Sequence, residues 1–109
     1  MAFTVFRPMV VGEKYSEVQR ESLLKTEEGW IIQFDLINNE GEDQSYTISL
    51  SIDDDKPYKE DVFLPDGRIY RFVRRIHAGE LAGDTGRVDL VIYKNDESTP
   101  IEHLTYYLE

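Results

Sequence analysis

The stretch that decides the fold runs from Trp30 to Asp53. It reads Trp30-Ile31-Ile32-Gln33-Phe34-Asp35-Leu36-Ile37, then the polar segment Asn38-Asn39-Glu40-Gly41-Glu42-Asp43-Gln44, then Tyr46-Thr47-Ile48-Ser49-Leu50-Ser51-Ile52-Asp53. In the second half Tyr46, Ile48, Leu50 and Ile52 alternate with Thr47, Ser49, Ser51 and Asp53. A period of two places all four apolar side chains on one face of a strand. Trp30, Ile32, Phe34 and Leu36 share a face of the preceding strand in the same way. Two half-buried strands around a glycine-containing turn predict a β-hairpin or a corner that passes between two sheets.

The same reading extends in both directions. Val5 to Val11 is apolar but broken by Pro8, which suits an edge strand. Glu17 to Lys25 is ambiguous: Val18, Leu23 and Leu24 fit a helical turn or an opening strand. Glu27-Glu28-Gly29 is a turn. Downstream, Asp53-Asp54-Asp55-Lys56-Pro57 is a loop and Tyr58 to Leu64 a short strand. Pro65-Asp66-Gly67 then forms a turn, since Pro presets φ and Gly accepts positive φ. Arg68 to Ile76 is a strand with Tyr70, Phe72 and Ile76 on one face, and Arg71 and Arg75 on the other. His77 to Gly86 is a loop. Strands follow at Arg87 to Lys94, with Val88, Leu90 and Ile92 inward, and at Ile101 to Leu108, with Leu104, Tyr106 and Leu108 in register. About seven short strands and no three-turn amphipathic helix predict an all-β, immunoglobulin-like antiparallel β-sandwich in one domain over residues 1–109. A small closed barrel is the alternative.

Composition narrows the functions. The chain has 109 residues, no cysteine, and a formal net charge of −10. Thiolate metal sites, disulfides and cysteine nucleophiles are excluded. The negative field repels phosphate backbones, so nucleic acid is not an expected partner. No run of 18 apolar residues occurs, so direct membrane insertion is not expected either. Met1 to Gly12 lacks the basic and apolar regions of a signal peptide. The chain is therefore expected to be cytoplasmic or a domain cut from a longer protein.

A resemblance sharpens this. Ile32-Gln33-Phe34-Asp35-Leu36-Ile37-Asn38-Asn39-Glu40 followed by Tyr46-Thr47-Ile48-Ser49-Leu50 resembles the strand, Asn-x-Glu, strand unit of prokaryotic immunoglobulin-like adhesion-type modules. More narrowly, it is similar to the soluble domain of an uncharacterised prokaryotic membrane-protein family whose members join several transmembrane helices to a β-sandwich outside the membrane. Val88 to Leu104 resembles that family's Leu-Tyr-Lys…Pro…Leu ending. The similarity covers Trp30 to Leu108 and implies an extracytoplasmic location. The family carries no established activity, so it implies no functional residues.

The residues themselves offer few chemical constellations. His77 and His103 have no second histidine at metal-ligand spacing, and no Gly-x-Ser-x-Gly elbow is present. Nearly all acids are expected in turns, solvated by water, where a raised pKa for acid catalysis does not arise. Calcium is the better use of them, because hard cations take several loop oxygens. In a sandwich the loops 38–45, 65–67 and 94–100 meet at one end, and Glu40, Asp43, Asp66 and Asp96 are the weak calcium candidates there, with Asn38, Glu42 and Glu97 beside them. Asp53 to Asp55 sit at the other end near Glu80 to Asp84. Arg68, Arg71, Arg74 and Arg75 are expected to pair across strands with acids. Trp30 reads as core, and Tyr107 should point outward if Tyr106 points in.

The expectation is a non-catalytic structural or protein-interaction module without a cofactor. Its partner would be another protein or a neighbouring domain, and it would be a monomer or weak dimer. A carbohydrate- or calcium-dependent binding domain and a small cytoplasmic protein-binding inhibitor are the alternatives. Edge strands at the two termini, Phe3 to Val11 and Leu104 to Leu108, are the expected contact points.

Overall fold

The computed structural model describes residues 15–109, so the expectation for Val5 to Val11 lies outside the described residues. Seven strands occupy this span: β1 (Tyr15–Lys25), β2 (Gly29–Asn39), β3 (Gln44–Ile52), β4 (Tyr58–Leu64), β5 (Ile69–His77), β6 (Gly86–Lys94) and β7 (Glu102–Leu108). A single 3₁₀ turn, Ala78–Glu80, follows β5. The strands form a three-stranded sheet in the order β1-β2-β5 and a four-stranded sheet in the order β4-β3-β6-β7, with every pair antiparallel. The chain is an immunoglobulin-like β-sandwich.

The Trp30–Asp53 stretch is the corner, not a hairpin. β2 ends in the smaller sheet and β3 begins in the larger one. β4 pairs with β3 and not with β5, so the fourth strand belongs to the larger sheet. This differs from the constant-type immunoglobulin domain, where the fourth strand lies with the first, second and fifth.

The alternating apolar residues meet between the sheets. Ile32, Phe34, Leu36, Phe72 and Ile76 come from one side, and Tyr46, Ile48, Leu50, Val88, Leu90, Ile92 and Leu108 from the other; all are fully buried. Phe34 and Phe72, directly opposite in the β2–β5 register, stack with centroids 4.9 Å apart. Trp30 is core, and Lys25 Nζ lies 5.9 Å from its ring centroid.

Glu17 to Lys25 belongs to β1, which resolves the ambiguity over that segment. Its alternation was obscured by a bulge. From Gln19 to Ser22 the strand advances three residues while β2 advances two, from Asp35 to Gln33. Arg20 sits in the bulge at φ 58°. The extra residue lets Val18 and Leu23, five positions apart, both pack against the core. The turn after β1 ends in Gly29, where a Cβ would stand 1.9 Å from the Ile76 carbonyl oxygen. Only glycine lets β2 and β5 approach so closely there.

Candidate functional site

Several acids lie within the strands and are not solvated turn residues, which corrects the expectation from sequence. Asp35 is the plainest case. It points outward from the middle of the three-stranded sheet yet is only 4% exposed, because two arginines cover it. Arg71, opposite it in register, donates from Nε to Oδ1 at 2.5 Å, and Arg20 reaches from the β1 bulge to Oδ2 at 3.7 Å. The Arg71 hydrogen bond, helped by the charges of both guanidinium groups, holds the Asp35 carboxyl below the usual carboxylate range. The expected cross-strand pairing of Arg71 is thus present. Arg74 instead pairs with Glu80 at 3.0 Å, and the Glu80 carboxylate also accepts from the His77 backbone N–H at 2.8 Å.

Three tyrosine hydroxyls tie one sheet to the other. Tyr106 on β7 donates to Glu21 Oε1 on β1 at 2.9 Å. Tyr70 on β5 donates to Glu60 on β4. Tyr46 on β3 meets Ser16 Oγ on β1 at 2.6 Å. Ser16 donates onward to Glu40 Oε2 at 2.7 Å, and Lys94 Nζ reaches the same oxygen at 3.3 Å. With Ser16 donating to Glu40, the Tyr46 hydroxyl is the donor to Ser16, so the chain of bonds runs from β3 through β1 to the corner and on to β6. Burial and the adjoining carboxylate push Tyr70 up to about 12, and the same causes raise Tyr106 further. Burial also raises Tyr46.

These shifts set an expected alkaline response. A folded-state tyrosine pKa above the unfolded value of about 10 means that stability is intact below pH 10 and is lost as pH rises toward 12 and beyond. Melting temperature should therefore decline over that window. The decline should flatten in Tyr70→Phe and Tyr106→Phe, because neither variant has a proton there to lose. Melting curves against pH, with tyrosinate absorbance as the second readout, check this.

The loops 38–45, 65–67 and 94–100 do meet at one end of the sandwich. Gly41 N–H donates to Asp66 Oδ1 at 2.9 Å, Asp66 N–H donates to Asp43 Oδ1 at 3.0 Å, and Ser45 N–H donates to Asn95 Oδ1 at 3.3 Å. Of the four calcium candidates, Glu40 is bound to Ser16 and Lys94, Asp43 and Asp66 cap backbone N–H groups, and Asp96 lines a neighbouring groove. They share an end of the molecule without converging on a point. Among the described residues no three His, Asp or Glu side chains are grouped so as to hold a metal ion. Millimolar calcium is expected to leave the melting temperature unchanged. A calcium-specific rise that Asp43→Ala abolishes would be the contrary result.

At the opposite end Asp53 Oδ1 accepts from Arg87 N–H at 2.8 Å, and Asp54 pairs with the Arg87 guanidinium at 2.5 Å. Arg87 also holds Asp89 at 2.9 Å, and His103 Nε2 lies 3.3 Å from that same carboxylate. Burial opposes ionisation of Asp89, but its bonds to Arg87, Thr105 and His103 outweigh that and lower its pKa. His103 is therefore part of a surface network on β6 and β7. His77 closes β5 and begins the 3₁₀ turn.

One open groove lies on the outer side of the four-stranded sheet, about 510 Å³ in volume, and Ser45, Thr47, Asp61, Phe63, Asn95 and Asp96 line it. The sequence reading missed Asp61 and Phe63. Their only signal is that Phe63 breaks the polar face of its strand. Tyr107 points outward and Tyr106 inward, as expected.

No family model matches the chain, and no curated protein matches it. Two solved structures of beta-glucosidase 3B from Thermotoga neapolitana, one in complex with glucose and one with glycerol, are similar in shape. Each has a TM-score of 0.56 and 16% sequence identity over 86% of this chain. The chain spans 16% of the length of that protein. At this identity the likeness shows the fold alone, a β-sandwich. Among the described residues no helix is long and apolar enough to cross a membrane.

Proposed function

We propose that this chain is a non-catalytic structural or protein-interaction module of a larger prokaryotic membrane or surface protein. The observation that carries the reading is the use made of the polar groups between and across its sheets. Tyr46, Tyr70 and Tyr106 with Glu40, Glu60 and Glu21 are spent as ties between the sheets, and Asp35 as a clasp within one of them. A sandwich fastened at both rims is a rigid body suited to holding its surfaces and ends in fixed positions. Two further points support the reading: the resemblance of Trp30 to Leu108 to extracytoplasmic sandwich domains, and the recurrence of this shape as one part of a much longer chain.

The test is made on the protein expressed from its own locus. The chain should fractionate with membranes or the cell surface, and external protease should remove it from intact spheroplasts. Recovery in the cytosol, protected from protease, would reject the membrane or surface assignment. Hydrolysis of a panel of aryl glycosides and esters by the purified chain above background, lost in Asp61→Asn, would reject the non-catalytic one.

A further inference from the structure

The groove beside β4 has a chemistry that the ties between the sheets do not explain. β4 is the last strand of its sheet and, among the described residues, pairs with β3 alone. Its other edge presents backbone donors and acceptors. Proline, bulges, lysine and inward-pointing charge are the usual protection for such an edge. Tyr58–Leu64 has no bulge in its pairing, its prolines, Pro57 and Pro65, lie just outside it, and its one inward charge, Glu60, is taken up by Tyr70; its single lysine, Lys59, is opposite Ser49, two positions beyond Asp61. The edges of the smaller sheet are better guarded, by the Arg20 bulge on β1 and by Arg71, Arg74 and Arg75 on β5.

The outer face of this edge is aromatic and acidic. Phe63 is 65% exposed, whereas Phe34 and Phe72 are buried in the core. Asp61 takes one bond, from Thr47 Oγ1 at 3.0 Å, and no salt bridge reaches Asp61 or Asp96 among the described residues. Asn95, which also lines the groove, accepts from Ser45 N–H with its side-chain oxygen. Glu42, Asp43, Asp66 and Glu97 stand in the adjoining loops, and the whole chain carries −10. Two uncompensated carboxylates beside an exposed ring, inside a negative field, favour a cation: the carboxylates attract it and the ring face accepts it.

We infer that the free edge of β4 takes an extended basic segment of a partner protein. The backbone of that segment adds a fifth strand to the sheet. Its alternate lysine or arginine side chains lie over the groove, toward Asp61, Asp96 and the Phe63 ring. Strand addition supplies the hydrogen bonds, and the spacing of two along a strand supplies the selection for alternating cations. The inference rests on the interaction-module reading and names the chemistry of its partner.

The probe is a short capped peptide alternating lysine and threonine, titrated into the isotope-labelled chain while amide shifts are followed. Shifts should centre on Tyr58–Leu64 and on Asn95 and Asp96, and binding should weaken as salt rises. The double variant Asp61→Asn, Asp96→Asn should bind about tenfold more weakly, Asp61 acting by direct contact and Asp96, which follows β6, through its field across the groove. Phe63→Ala should also weaken binding. All three residues are at the surface, so these variants should melt like the parent. N-methylation of alternate peptide amides should abolish binding in one phase and spare it in the other, because only every second amide of an added strand faces β4.

Equal binding by the glutamate counterpart of the peptide would overturn the inference. So would shifts centred away from β4, indifference to the variants, or indifference to N-methylation in both phases. If a neutral oligosaccharide moves the groove resonances and the lysine peptide does not, the occupant is a sugar and the inference falls. None of these results bears on where the protein resides in the cell, so failure here is separable from failure of the membrane or surface reading.

Discussion

Phe34→Ala should destabilise the domain by about 3–5 kcal/mol, a large share of the roughly 5–15 kcal/mol typical of a domain. Phe34 is fully buried in the central strand of the smaller sheet, and its ring stacks on Phe72 at 4.9 Å. Truncation removes the transfer energy of the ring and leaves a cavity. That cavity is walled by strands held in register on both sides, β1 and β5, so it has little freedom to collapse. Phe72→Ala should cost a similar amount. The double variant should cost less than the sum, because each single change already breaks the stacked pair. Chemical denaturation of the four proteins measures this. A Phe34→Ala protein that unfolds with the parent's midpoint would mean that the ring is not held between the sheets.

Much of this core is legible in the sequence because the strands are buried on one face only. Tyr46, Ile48, Leu50 and Ile52, or Val88, Leu90 and Ile92, need only a period of two to be assigned to one side. Pro65-Asp66-Gly67 is legible for a local reason: Gly67 sits at φ 79°, where other residues are strained. β1 is not legible in the same way. A bulge changes the parity of the strand in the middle, and nothing local to Arg20 announces that it adopts φ 58°.

The polar ties were illegible for a different reason. Asp35, Glu60 and Asp61 appear in the sequence only as polar members of alternating strands, and Glu21 only as part of the ambiguous segment Glu17 to Lys25. Their partners Arg71, Tyr106, Tyr70 and Thr47 are fixed by register and by which sheet each strand joins. That membership depends on the corner and on β4 lying beside β3, a matter of topology. The calcium candidates show the converse. The sequence correctly brought their loops to one end, but it could not show that Asp43 and Asp66 point at backbone N–H groups.

Asn38→Ala should be the most damaging change outside the apolar core, at about 3 kcal/mol, since it strips partners from three backbone groups, each worth roughly 1 kcal/mol or more. Asn38 is fully buried at the corner where the chain leaves β2. Its Nδ2 donates to the Glu42 carbonyl at 3.0 Å and to the Leu64 carbonyl at 2.8 Å, and its Oδ1 accepts from Glu40 N–H at 2.9 Å. Its own backbone is bonded as well, N–H to the Arg68 carbonyl at 3.1 Å and carbonyl from Gly67 N–H at 2.7 Å. One side chain therefore joins the β2–β3 corner to the end of β4, and its backbone holds the β4–β5 turn. This gives the Asn-x-Glu unit a physical meaning: Asn38 fastens the corner, and Glu40 receives Ser16 and Lys94. Asn38→Asp tests the assignment more sharply than alanine does. It keeps the acceptor for Glu40 N–H but replaces the donor with a carboxylate facing the Glu42 and Leu64 carbonyl oxygens. Asn38→Asp should therefore be at least as unstable as Asn38→Ala at neutral pH, and it should recover as the pH falls and the carboxyl gains a proton to donate. Denaturation midpoints at neutral and acid pH check both statements. An aspartate variant as stable as the parent at neutral pH would show that the corner does not depend on this donor.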